Sequence, residues 1–128
     1  MCDDTPLVEV RLPADLSAAR HARSFLRTSL CAHQTRVMDR ALLLFSEMAV
    51  NAVEHGDPPV TATLDCGGVD GVRLAVHDGS RVRPVRHEVG PEAESGRGVN
   101  LVDVLSDQWG VDVDADGRGK TVWCRLRP

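Results

Sequence analysis

Ser46-Glu47-Met48-Ala49-Val50-Asn51-Ala52-Val53-Glu54-His55-Gly56 follows Ala41-Leu42-Leu43-Leu44-Phe45 with no break in its apolar rhythm. The combined run predicts one amphipathic helix, of which the quoted stretch is the second half. Residues four apart on a helix sit one turn apart on the same face. Glu47, Asn51 and His55 therefore form a polar stripe, while Leu42, Leu43, Ala49, Ala52 and Val53 are expected to face a core. A carboxylate and an amide oxygen one turn apart are suited to act together on a divalent metal or a polarised water. Asp39 is the expected cap at the start of this helix. Gly56 with Pro58-Pro59 just beyond is a stop signal, since glycine ends helices and proline cannot continue them.

On the N-terminal side, Leu7-Val8-Glu9-Val10-Arg11-Leu12 alternates and predicts a strand closed by Pro13. Asp15 or Ser17 is placed to cap a helix reaching about Leu30, with Leu16, Ala19, Leu26 and Leu30 as its apolar side. On the C-terminal side, Val60 to Leu64 and Val72 to Val76 read as two strands joined by the glycine-rich turn Gly67 to Gly71, a hairpin. Gly79 to Arg97 shows no regular pattern and carries Pro84, Gly90 and Pro91; irregular segments of that length in compact domains are often functional lids. Gly98 opens a third helix with Val99, Val102 and Leu105 inward. Strands follow over Gln108 to Val113 and Thr121 to Leu126, joined by the turn Asp114 to Gly119. The order β-α-α-β-β-α-β-β predicts an α+β fold: a two-layer sandwich with a mixed, mostly antiparallel sheet covered on one face by helices.

A chain of 128 residues, 42% apolar and 27% charged, fits one soluble domain with a real core. No internal repeat divides it, and residues 1–6 are expected to form a flexible tail. With only Phe25, Phe45, Trp109 and Trp123 as aromatics, the core must rest on Val, Leu and Ala. The net charge of −4 argues against a nucleic-acid-binding surface, which is usually basic. The acidic start Met1 to Pro6 lacks the apolar segment of a signal peptide. No apolar run approaches the roughly 20 residues of a membrane span. A cytoplasmic protein is expected. Cys2, Cys31, Cys66 and Cys124 form no CxxC pair, so four reduced, structural cysteines are expected rather than a zinc site.

Three further segments bear on chemistry. Asp78 closes an apolar strand within Val76-His77-Asp78-Gly79-Ser80; its carboxylate can accept a hydrogen bond from an exocyclic amine, and Gly79 permits close backbone approach. Ser95-Gly96-Arg97-Gly98-Val99-Asn100 runs glycines into a helix start, where free N–H groups and the helix dipole suit phosphate, and Arg97 can add a charge-assisted contact. Gly117-Arg118-Gly119-Lys120-Thr121-Val122-Trp123 superficially suggests a P-loop. That motif requires Gly where Asp114 stands, and a helix rather than a strand after it, so it is rejected; a turn whose Thr121 or Lys120 reaches a phosphate stays open as an alternative to a plain hairpin turn. Taken singly, an Asp-Gly turn, a GxG before a helix and a hairpin turn are each commonplace structural features.

Their order and spacing are not commonplace. A helix with Glu-x-x-x-Asn-Ala, a strand ending in Asp, an irregular lid, Gly-x-Gly-helix and Gly-Lys-Thr-Val-Trp together resemble the GHKL ATPase/kinase superfamily. The pattern is most similar to its anti-sigma factor serine/threonine kinase branch (the RsbW and SpoIIAB type). The Ala-, Val- and Arg-rich character looks like the actinobacterial members. The resemblance spans about Leu7 to Leu126. It implies the Bergerat ATP-binding fold, with ATP and Mg²⁺ as cofactors. By the same resemblance Asn51 holds Mg²⁺, Glu47 is the general base toward a substrate serine, and Asp78 binds adenine. Gly96 and Gly98 let the lid close on the phosphates, Thr121 lies near adenine and Asp78, and His55 matches a common histidine after the helix motif. The implied activity is phosphorylation of a serine on a STAS-type anti-anti-sigma partner, with a sigma factor as a further partner and a homodimer as a common assembly. No nucleic acid or membrane is implied. An alternative is a catalytically weak or inactive Bergerat-fold module that regulates a partner through nucleotide-dependent binding. Two departures stand out: Ser80 replaces the first glycine of the Asp-x-Gly-x-Gly box, and Glu94 stands where other members carry an arginine, a place Arg97 is expected to fill.

Overall fold

The computed structural model describes residues 7–29, 36–66, 71–80 and 103–127. Its elements run β1 (Val8–Leu12), α1 (Ala18–Ser29), α2 (Met38–His55), β2 (Val60–Cys66), β3 (Val72–Asp78), β4 (Gln108–Val113) and β5 (Lys120–Leu126). The five strands form one open sheet in the order β1-β2-β3-β5-β4. Every pairing is antiparallel, so the sheet is not mixed. The α+β architecture is as the sequence predicts. Residues 103–105 are helical; the start of the expected third helix, at Gly98, lies outside the described residues, as do residues 1–6.

Period-two alternation decides which face of each strand is covered. In β2, Val60, Ala62, Leu64 and Cys66 are buried and the residues between them are half-exposed. In β5, Lys120, Cys124 and Leu126 are buried with Val122 packed beside them. The helices lie on this face. Ala18, Ala22 and Leu26 of α1 and Ala41, Leu44, Phe45, Met48, Ala49 and Ala52 of α2 meet the sheet residues in one core. Phe25 and Phe45 pack as tilted rings with centroids 6.2 Å apart. Burying large apolar side chains contributes roughly 1.5–3 kcal/mol each, which suits a core poor in aromatics.

Several local expectations are corrected. Leu43 is 43% exposed and Leu16 is 71% exposed. The buried row of α2 steps 41, 44/45, 48, 52, a 3.6-residue repeat that leaves Leu43 off the stripe. Asp39 is not the cap: α2 begins at Met38 after Val37, without a side-chain cap, and Asp39 sits within the first turn. There its negative charge complements the helix dipole. At α1 the expectation of a polar start is met by Asp15, whose Oδ1 accepts hydrogen bonds from the backbone N–H and hydroxyl of Ser17. Those bonds hold the Asp15 carboxyl below its usual range. Cys66 is disulfide-bonded, with its partner outside the described residues, so the cysteines are not all reduced; Cys124 is free and buried.

Arg40 of α2 fixes the far end of the sheet to the helices. Its guanidinium donates to the carbonyls of Leu105 at 3.1 Å and Arg127 at 2.7 Å. Asp107, which accepts from the Arg127 backbone N–H, lies 3.9 Å from it. Among the described residues no helix is long and apolar enough to cross a membrane.

Candidate nucleotide site

The site is built where the C-terminal half of α2 crosses the end of β3. Glu47 and Asn51 are half-buried on one flank of α2, one turn apart, while His55 is exposed. Among the described residues neither Glu47 nor Asn51 has a side-chain hydrogen-bond or ion-pair partner. A half-buried carboxylate and amide with unused acceptors are available to a ligand. No group of three or more His, Cys, Asp or Glu side chains is gathered to hold a metal among the described residues. That suits Mg²⁺, which takes one or two protein oxygens and fills its shell with water and phosphate. The Asn51 amide oxygen fits such a role.

Asp78 is 1% exposed at the end of β3. Two close approaches hold it. Gly56, at the end of α2, lies so near that a Cβ there would meet Asp78 Cγ at 2.3 Å and Oδ2 at 2.5 Å. The helix stop is thus also the floor of the Asp78 pocket. A Cβ on Gly119 would meet the Asp78 carbonyl oxygen at 2.7 Å. The Asp78 Oδ1 accepts the Ser80 backbone N–H at 2.8 Å. Ser80, where the glycine box is broken, therefore still forms the tight turn after Asp78.

The sequence did not anticipate the second partner of Asp78. β3 and β5 pair with Asp78 opposite Lys120, and the Lys120 ammonium donates to Asp78 Oδ1 at 3.0 Å. Lys120 is 4% exposed. Thr121 pairs with His77 instead and points to the opposite face of the sheet, lining a shallow depression of about 400 Å³ with Thr61, Thr63, Arg73 and Asp112. Its side chain and that of Asp78 lie on opposite faces of the sheet. The misplacement is one residue: in a strand, a shift of one moves a side chain to the other face. The signal was present, because Lys120 is in phase with Val122, Cys124 and Leu126, the apolar side of β5. The turn leading into β5 is held by His77 Nε2 and Asp114 Oδ2 at 2.9 Å, and Gly117 adopts a φ of 71° that favours glycine. Gly96, Arg97 and Gly98 lie outside the described residues.

The profile of the histidine kinase-like ATPase domain matches residues 12–126, nearly the whole chain. This chain belongs to the histidine kinase-like ATPase family. The match runs from the end of β1 to the end of β5 and takes in the helix, strand and turn that carry Glu47, Asn51, Asp78 and Lys120. A fold of this family is an ATP-binding or kinase-like domain. No curated protein matches the chain.

Proposed function

We propose that the protein is an ATP-dependent serine/threonine kinase of the anti-sigma factor type, which phosphorylates a serine on a STAS-type anti-anti-sigma partner and binds a sigma factor in turn. The observation that carries this reading is the pair Glu47 and Asn51, one turn apart, half-buried and without a side-chain partner among the described residues, on the helix whose end abuts Asp78. In this reading Asp78 accepts a hydrogen bond from the adenine amine. The Asn51 amide oxygen would hold Mg²⁺, whose charge would neutralise that of the ATP phosphates. Glu47 takes the proton from the attacking serine hydroxyl as its oxygen bonds to the γ-phosphorus and the bond to the leaving ADP oxygen breaks. Phosphoryl transfer of this kind depends on alignment and charge neutralisation. Gly96, Arg97 and Gly98 are assigned to the phosphates on the family pattern, and Thr121, on the far face of the sheet, is not given a nucleotide contact.

The test is transfer of labelled phosphate from ATP to candidate STAS proteins. Glu47→Ala is expected to lower transfer by about 100-fold or more, the usual contribution of a positioned general base, while ATP remains bound. Asn51→Ala is expected to lose both transfer and Mg²⁺-dependent binding. Transfer undiminished in Glu47→Ala would overturn the assignment. The broken glycine box favours a second reading, a nucleotide-dependent binding module without transfer; nucleotide binding with no phosphorylation of any STAS partner would support it.

A further inference from the structure

The Asp78–Lys120 pair is more than a structural ion pair in its unused bonding capacity. An ammonium carries three N–H donors. One goes to Asp78 Oδ1 at 3.0 Å, and among the described residues nothing else accepts from Lys120. Two donors of a 4% exposed ammonium are thus left without an acceptor among the described residues. Buried polar groups are almost always paired, because an unpaired one forfeits its hydration. On the carboxylate, Oδ1 takes both Lys120 and Ser80, and Oδ2, set over Gly56, accepts from no described residue. An acceptor and donors with no further partner among the described residues therefore stand side by side in the buried corner between α2 and β3.

We propose that Lys120 is a base-contacting, specificity-determining residue: its ammonium donates to the ring nitrogen N1 of adenine while Asp78 Oδ2 accepts from the adjacent 6-amine. The proposal rests on the reading of this corner as an ATP site. Adenine presents on one edge a donor, the amine, and beside it an acceptor, N1. The carboxylate and ammonium supply the complementary acceptor and donor. Both contacts are charge-assisted and buried, which roughly doubles the strength of a neutral hydrogen bond. Lys120 thereby converts recognition of the amine alone into recognition of the whole edge, and the incoming base satisfies donors that the fold leaves open.

Two analogues separate the contacts without altering the protein. In 1-deaza-ATP a C–H replaces N1 and the amine is kept; in purine riboside triphosphate the amine is removed and N1 is kept. Binding of each, and of ATP, to the wild-type protein with Mg²⁺ is measured by calorimetry. The wild type is expected to bind 1-deaza-ATP at least about tenfold more weakly than ATP, the worth of a hydrogen bond to a charged group. In Lys120→Met, checked for folding by its circular dichroism spectrum, ATP and 1-deaza-ATP are expected to bind within about twofold of each other, the ratio left when that bond is gone. Equal wild-type affinities for ATP and 1-deaza-ATP would overturn the proposal, and this comparison stands even if Lys120→Met fails to fold. Tighter ATP binding by Lys120→Met would also overturn it, by showing that the ammonium obstructs the base. Loss of affinity for purine riboside triphosphate alone would keep the ATP site and Asp78 while removing Lys120; failure of ATP itself to bind would overturn the ATP reading.

Discussion

Gly56 shows how much of a site can rest on one absent methyl group. The sequence marks it as a helix stop, and the helix does end there, with the Gly56 N–H donating to the Ala52 carbonyl at 2.9 Å. Its backbone, at φ −102° and ψ −173°, is extended, so a left-handed conformation is not what requires glycine. The requirement is space for Asp78. Gly56→Ala is expected to destabilise the protein by about 1–3 kcal/mol, the range for overpacking, and to weaken ATP binding by displacing the carboxylate; urea denaturation and calorimetry measure the two effects. Lys120 gives the complementary lesson. Its place on the Asp78 side was in the alternation of β5, but the turn before β5 hid the register, and the family resemblance pointed to Thr121 instead. Cys124 is a third residue whose chemistry comes from its place. Burial pushes its thiol up from 9.0 to about 12. A raised pKa in the folded state contributes stability that is full below pH about 9 and is lost as pH rises toward 12, because only the unfolded chain releases the proton there. Unfolding free energy followed against pH should therefore fall across that window in the wild type, and fall less steeply in Cys124→Ala.

At the scale of elements, α2 joins the core to the chemistry. One face carries Leu44, Phe45 and Met48 into the core, and the adjoining flank carries Glu47 and Asn51 outward. Leu44, fully buried, should cost about 2–5 kcal/mol on truncation to alanine. Because the two faces share one helix, the geometry around Glu47 and Asn51 should loosen with it, seen as raised amide exchange through both residues; unchanged stability in Leu44→Ala would contradict this packing. The helix, the hairpin of β2 and β3 and the strand β4 were legible because their periodicities are clean. The ends were less so. β5 starts at Lys120, one residue before its expected bound. A polar residue hides this strand end, since a buried ion pair carries no apolar signal. The helix start at Met38 was missed for a similar reason: Asp39 is a good capping residue, yet the cap position is Val37, fully buried, two residues earlier.

For the whole molecule, an open antiparallel sheet with helices on one face places the site at one end, where α2, β3 and the β4–β5 turn converge. Arg40 and Asp107 tie the other end together. The layer order was readable from the pattern of elements. The antiparallel pairing of β3 with β5 was not, since it joins strands separated by the long segment from Gly79 to Arg97, whose own place in the chemistry rests on the family pattern. The central claim is that Glu47 and Asn51 divide one task, the first handling the proton and the second the metal. Calorimetric titration of ATP, with Mg²⁺ and with a chelator, into the wild type, Glu47→Ala and Asn51→Ala tests it most directly. The account predicts Mg²⁺-enhanced binding that survives in Glu47→Ala and is lost in Asn51→Ala. Enhancement retained in Asn51→Ala, or no binding of ATP to the wild type at millimolar nucleotide, would contradict it.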